Sequence, residues 1–114
     1  MPVVIRNIFE DYVKDRFDLD DCIAVNNGSS AIIAPLWSMD LKADDEVITT
    51  PFTFISTITS IIIAGAKPVF VDINEEDYLI NADLIEAAIT PKTKAIIPVH
   101  LYGQVCEMDK INQI

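Results

Sequence analysis

Runs of β-branched residues alternate with segments of helical period along the whole chain, and few architectures accept that order. Ile5, Ile8, Phe9, Tyr12 and Val13 recur at helical spacing, which predicts an amphipathic helix over residues 4–17. Residues 22–25 read as a short apolar strand. Residues 29–39 read as a helix that Pro35 should kink, because proline withholds one i→i−4 hydrogen bond. Residues 46–50 are β-branched and strand-like, and residues 54–64 form a buried helix that Gly65 closes. Residues 68–73 make the next strand. Asn81 then caps a helix through Ile89, with Asp83 in the first turn where the helix dipole favours a carboxylate. Residues 95–100 are a fourth strand, and a last helix begins at Met108.

Strands and helices of this length in this order imply βαβ units and a mostly parallel sheet with helices on both faces, an α/β fold. Ligands of such sheets sit outside the carboxyl ends of the strands. Here those ends carry Asn26-Asn27-Gly28, Thr50-Pro51-Phe52-Thr53-Phe54, Asp72-Ile73-Asn74 and His100-Leu101-Tyr102-Gly103. The first of these runs through a glycine turn into a helix, so freed backbone N–H groups point outward, and a phosphate is the commonest guest of such a turn. Gly28 supplies φ > 0 or close backbone approach, and Ser29 and Ser30 add hydroxyls beside the amides. Taken alone, the eight residues 24–31 fit a capped helix start without a ligand better than a phosphate site.

Charge and cysteine content narrow the partners. The 114-residue chain, one domain's worth, carries a formal net charge of −10, which argues against nucleic acid or an anionic membrane surface. The acidic clusters at residues 18–21, 44–46 and 75–77 fall where loops are expected. Cys22 and Cys106 lie far apart, which fits reduced thiols in a cytoplasmic protein better than a disulfide or a zinc site. Charged residues interrupt the start of the chain, so no signal sequence is read there, and the longest apolar run is too short to span a bilayer. With glycine only at 28, 65 and 103, neither G-x-G-x-x-G nor a Walker A loop can be written. Asp72-x-Asn74-x-Glu76 is discounted as a calcium loop because Asp77 stands where a glycine belongs, and no metal site is expected. His100 reads as a hydrogen-bonded strand-end histidine before it reads as a catalytic one.

Five ordered blocks then carry a resemblance: residues 26–29 (NNGS), 45–48 (DEVI), 51–57 (PFTFIST), 65–72 (GAKPVFVD) and 85–103 (IEAAITPKTKAIIPVHLYG). Together they resemble the DegT/StrS-type sugar aminotransferases, from about Ile5 to the C-terminus. The resemblance implies the aspartate-aminotransferase-like large domain of the pyridoxal-phosphate-dependent transferases. It implies that Gly28, Ser29 and Ser30 hold the cofactor phosphate and that Phe54 stacks on the pyridine ring. It further implies amino transfer to a keto sugar linked to a nucleoside diphosphate, in homodimers. The family's cofactor-anchoring lysine and the acid facing the ring nitrogen belong to segments beyond these blocks, and Lys14, Lys42, Lys67, Lys92, Lys94 and Lys110 match neither. The sequence also departs from the family at Lys42-Ala43-Asp44, where glycines are usual, and at Pro35.

Residues 1–114 are therefore expected to be part of a large domain that lacks the lysine segment and the small C-terminal domain. No catalytic residue is assigned, cofactor binding by the chain alone should be weak, and the chain should form a homo-oligomer or pair with a complementing C-terminal part. A non-catalytic remnant that pairs with a full-length homologue is the alternative. A small doubly wound binding domain of other function is a third.

Overall fold

The computed structural model describes residues 3–114, which divide into two units at Ala31. In the first, helix α1 covers Val3–Phe17 as the spacing predicts, yet none of its residues is buried. Asp18 ends it in the left-handed conformation (φ 53°), with the Leu19 N–H donating to the Lys14 carbonyl at 3.0 Å. The expected strand over residues 22–25 is not formed. The Ala24 N–H donates to the Glu10 carboxylate at 2.7 Å, so the segment is held by a side chain, and without a ladder partner an apolar run is not a strand.

Helix α2, Gly28–Ser38, leads into the second unit, which holds β1 (Glu46–Thr49), α3 (Ile55–Ile63), β2 (Lys67–Phe70), α4 (Ala82–Ala88), β3 (Thr93–Ile96), a 3-10 turn at Leu101–Gly103 and α5 (Met108–Ile111). Helix α2 runs without interruption through Pro35. The sheet is parallel, with β1 central in the order β2-β1-β3. Val47 pairs with Pro68 on one side and Ala95 on the other. Pro68, which has no N–H to give, is accommodated because β2 lies at the sheet edge. Both outer strands stop earlier than their apolar runs suggest, because β1 ends at Thr49 and offers little beyond. Single bonds from Val71 N–H to Thr49 and from Ile97 N–H to Ile48 finish the ladders.

Successive residues of β1 point to opposite faces and found two cores. Val47 packs with Leu36, Ile61 and Ala66 on one side. Ile48 packs with Val71, Leu79, Ile80, Ala82, Ile85, Cys106 and Ile111 on the other. Helices α2 and α3 thus cover one face, and α4 and α5 the other. Gly65, at φ +92°, turns the chain out of α3 as the sequence requires, and Asn81 caps α4 by accepting from the Asp83 N–H at 3.0 Å.

Ser60 departs from this economy. It is fully buried in α3, and its Oγ has no hydrogen-bond partner among the described residues. A buried hydroxyl left unpaired costs about 1–3 kcal/mol. Ser60→Ala should therefore raise unfolding stability by about 1 kcal/mol, seen as a higher thermal midpoint. A lower midpoint would mean that the hydroxyl is satisfied in solution.

Candidate functional site

The carboxyl end of β1 is organised by threonines. Thr49 Oγ1 donates to the Ile97 carbonyl at 2.9 Å, pinning β1 to the chain that follows β3. The Phe52 N–H donates to Thr50 Oγ1 at 3.2 Å, and the Thr53 and Thr57 hydroxyls share a hydrogen bond of 2.9 Å. These contacts fold residues 50–53 into a tight bend and start α3 at Ile55, with Phe54 in the N-cap position. Phe54 is left 74% exposed.

The chain after β3 closes the other side. The Cys106 N–H donates to His100 Nδ1 at 3.2 Å, so His100 is the hydrogen-bonded histidine expected, but it stands before the 3-10 turn and not at the strand end, because β3 stops at Ile96. Cys106 Sγ donates to the Val99 carbonyl, also at 3.2 Å, and burial pushes its thiol pKa up, which makes it a poor nucleophile. Between these clasps, Leu101–Gly103 makes its 3-10 turn. A cavity of about 320 Å³ opens there, lined by Pro51, Phe52, Thr53, Phe54, Leu101 and Tyr102. Its size is at the low end of ligand pockets, about 300–1,000 Å³. Phe52 also meets Tyr78, with ring centroids 5.9 Å apart.

The other sequence-predicted residues, Gly28, Ser29 and Ser30, occupy the first turn of α2. Asn27 is the cap: its Oδ1 accepts from the Ser30 N–H at 2.9 Å, and its carbonyl accepts from Ala31 at 3.2 Å. The Ser30 hydroxyl donates to Asn26 at 2.8 Å. Both polar groups of Ser30 are therefore engaged by the cap. Among the described residues, the Gly28 and Ser29 amides and the Ser29 hydroxyl have no such partner. Gly28 is not in the positive-φ region, and a Cβ built on it would meet nothing within 4 Å. The backbone conformation does not require glycine here; what glycine provides is open space above two free amides.

The Asp77 carboxylate accepts from Asn74 Nδ2 at 3.2 Å and from the Leu79 N–H at 2.9 Å, and so works as a turn acceptor. Lys14, Lys42, Lys67, Lys94 and Lys110 each lie beside an aspartate. For Lys14, Lys67 and Lys110 the hydrogen bond to that carboxylate raises the pKa, which holds the amine protonated. Sequence reasoning marked the strand ends but missed Asn27 as the cap, which the Asn-before-Gly position could have given. It also missed the backbone strain at Tyr78 and Tyr102, for which the sequence holds no signal.

The DegT/DnrJ/EryC1/StrS aminotransferase family model matches residues 6–114. The dTDP-3-amino-3,4,6-trideoxy-alpha-D-glucose transaminase of Micromonospora megalomicea is 48% identical over 110 residues, covering 96% of this chain and 29% of that protein. The UDP-2-acetamido-2-deoxy-3-oxo-D-glucuronate aminotransferase of Pseudomonas aeruginosa is 45% identical over 105 residues, covering 92% and 29%. Among solved structures, NtdA of Bacillus subtilis with bound cofactor PMP superposes with a TM-score of 0.90 at 38% identity, over 94% of this chain and 25% of that one. An aminotransferase of Psychrobacter cryohalolentis gives 0.89 at 42% identity, over 95% and 27%. The fold is that of the pyridoxal-phosphate-dependent, aspartate-aminotransferase-like transferases. More narrowly, the chain belongs to the DegT/DnrJ/EryC1/StrS aminotransferase family. It spans 29% of each of the two named relatives.

Proposed function

We propose that this chain is the N-terminal part of the cofactor-binding large domain of an aminotransferase that acts on keto sugars carried by a nucleoside diphosphate, in the synthesis of cell-surface polysaccharide or other amino sugars. The names of its relatives support the substrate class. The observation that carries the reading is Phe54, a large aromatic left 74% exposed on a cavity at the carboxyl end of the central strand.

Each taken by itself, the residues suit a part of pyridoxal phosphate. The turn at Gly28 and Ser29 offers amides, a hydroxyl and open space to a phosphate, and Phe54 offers a ring face to a pyridine. Ser30 keeps the turn in shape, because its amide and hydroxyl are already taken. When bound, the cofactor supplies the electron sink through which an amino group passes between donor and acceptor. The chain's own contribution is to bind and orient. A helix terminus gives an exposed anion about 0.3–1 kcal/mol, and a ring stack adds about 0.5–1.5 kcal/mol. Micromolar affinity needs about 8 kcal/mol, so the chain alone should bind weakly.

The test uses pyridoxine 5′-phosphate and pyridoxine, which lack the aldehyde that would label surface lysines, with the Phe54 ring followed by NMR. Half-saturation is expected at about 1 mM or weaker, with the phosphorylated form favoured. Gly28→Ala should keep the fold, since its Cβ meets nothing in the chain, and should erase the preference for phosphate. A Phe54 ring that fails to respond, or a preference that survives Gly28→Ala, would sink the reading.

The exposed apolar side chains of Ile55, Ile62 and Ile63 on α3 support association with a second copy or with a complementing C-terminal part. The free thiols of Cys22 and Cys106 support a reducing, cytoplasmic location. Among the described residues no helix is long and apolar enough to cross a membrane.

A further inference from the structure

Beside Phe54, the same cavity is lined by Tyr102, which the reading above leaves without a role. Its backbone is left-handed, at φ 56° and ψ 24°. Asn and Asp enter that region readily, but for a bulky aromatic it is an outlier that persists only where the surroundings impose it. Among the described residues, the other non-glycine residues at positive φ are Asp18, Asp40 and Tyr78. The two aspartates belong to the tolerant kind. The two tyrosines do not, and both lie around Phe52: Tyr78 against its ring and Tyr102 along the cavity it lines.

The restraint on Tyr102 is visible. The Gly103 N–H donates to the His100 carbonyl and the Gln104 N–H to the Leu101 carbonyl, at 3.2 and 3.0 Å. His100 and Cys106 clasp the base of the turn. Gln104 Nε2 reaches the Asp77 carbonyl at 3.2 Å, tying this turn to the residue that precedes Tyr78. All of this holds a side chain that buries almost nothing, for Tyr102 is 81% exposed. A strained, over-restrained and solvent-facing aromatic does not serve the core.

We propose that Tyr102 is a substrate-contacting residue, whose ring takes the flat C–H face of the sugar while its hydroxyl is free to hydrogen-bond the sugar's own hydroxyls. This rests on the reading that Phe54 holds the cofactor ring. With that face assigned to the pyridine, Tyr102, the most exposed of the three aromatics that line the cavity, is left for a substrate that arrives from solvent. A phenol combines an apolar face with a donor and acceptor at its rim, which suits a ring built of C–H faces and peripheral hydroxyls.

Three probes on the chain separate the outcomes: UDP-glucose, UDP alone and pyridoxine 5′-phosphate, with the Phe54 and Tyr102 ring signals resolved by NMR. Tyr102 is expected to shift with UDP-glucose and much less with the other two. Tyr102→Phe should keep the ring-face response. Tyr102→Gly should weaken UDP-glucose binding about 2- to 10-fold while leaving the Phe54 response to pyridoxine 5′-phosphate in place. Because glycine relieves the left-handed strain, the same variant should melt no lower than the parent, whereas a purely structural tyrosine would lower the midpoint when removed. The proposal is overturned if Tyr102 ignores UDP-glucose, if UDP alone or pyridoxine 5′-phosphate moves it equally, or if Tyr102→Gly loses stability. Should Phe54 still respond to pyridoxine 5′-phosphate in those cases, the cofactor reading survives. Should neither ring respond to any probe, both fall.

Discussion

Ile48→Ala is expected to remove about 2–5 kcal/mol of folding free energy, a large share of the roughly 5–15 kcal/mol that a domain of this size possesses. Ile48 has no exposed surface and sits in the middle strand, where its side chain joins β1 to residues from α4, α5 and the connecting loops. The truncation forfeits the transfer of the deleted methyl and methylene groups and leaves a cavity. Backbone hydrogen bonds to β2 and β3 prevent the strand from collapsing into it. Urea denaturation followed by circular dichroism should show the midpoint falling with little change in slope. Ile61→Ala, in the cluster on the opposite face, should add to it nearly independently, because the two clusters share no buried member. A cost for Ile48→Ala below about 1 kcal/mol would mean that the Ile48 face is not the packed core described here.

The legible parts of the fold are those in which a local rule and the tertiary structure agree. Asn81, Asp83 and Gly65 marked helix ends that form as read, because capping and positive φ are satisfied within a few residues. The β-branched run at 46–50 holds a strand over Glu46–Thr49 for the same reason: β-propensity and a buried position coincide. Residues 22–25 look equally strand-like, but a ladder needs a partner, and partner choice is not written in four apolar residues. The outer strands ended early because their length is set by β1, a different part of the chain. At the candidate site, the strand-end rule brought out residues 50–54 and 100–103 without structural help. It could not bring out the geometry of Tyr102, since φ is imposed by His100, Gln104 and Cys106 acting together. The turn at Gly28 is legible in outline, but not that Asn27 Oδ1 accepts from the Ser30 amide.

Pro35→Ala should stabilise the chain by about 2 kcal/mol, the net of two opposing terms. Proline in a helix interior costs about 3 kcal/mol relative to alanine, through the missing donor and the clash of its ring with the preceding turn. Helix α2 tolerates it with no break between Gly28 and Ser38, so the cost is carried within the helix. Against the gain stands the freer unfolded chain that alanine allows, about 0.4–1 kcal/mol. Packing contributes little to the balance, because Pro35 is exposed while its neighbour Leu36 supplies the buried contact with Val47, Ile61 and Ala66. For a domain of about 100 residues, 2 kcal/mol corresponds to roughly 8–16 °C in the thermal midpoint, which a single melting curve resolves. An unchanged or lower midpoint would show that the helix does not carry the cost in solution, and that the proline ring holds its last turn in place by a contact alanine cannot make.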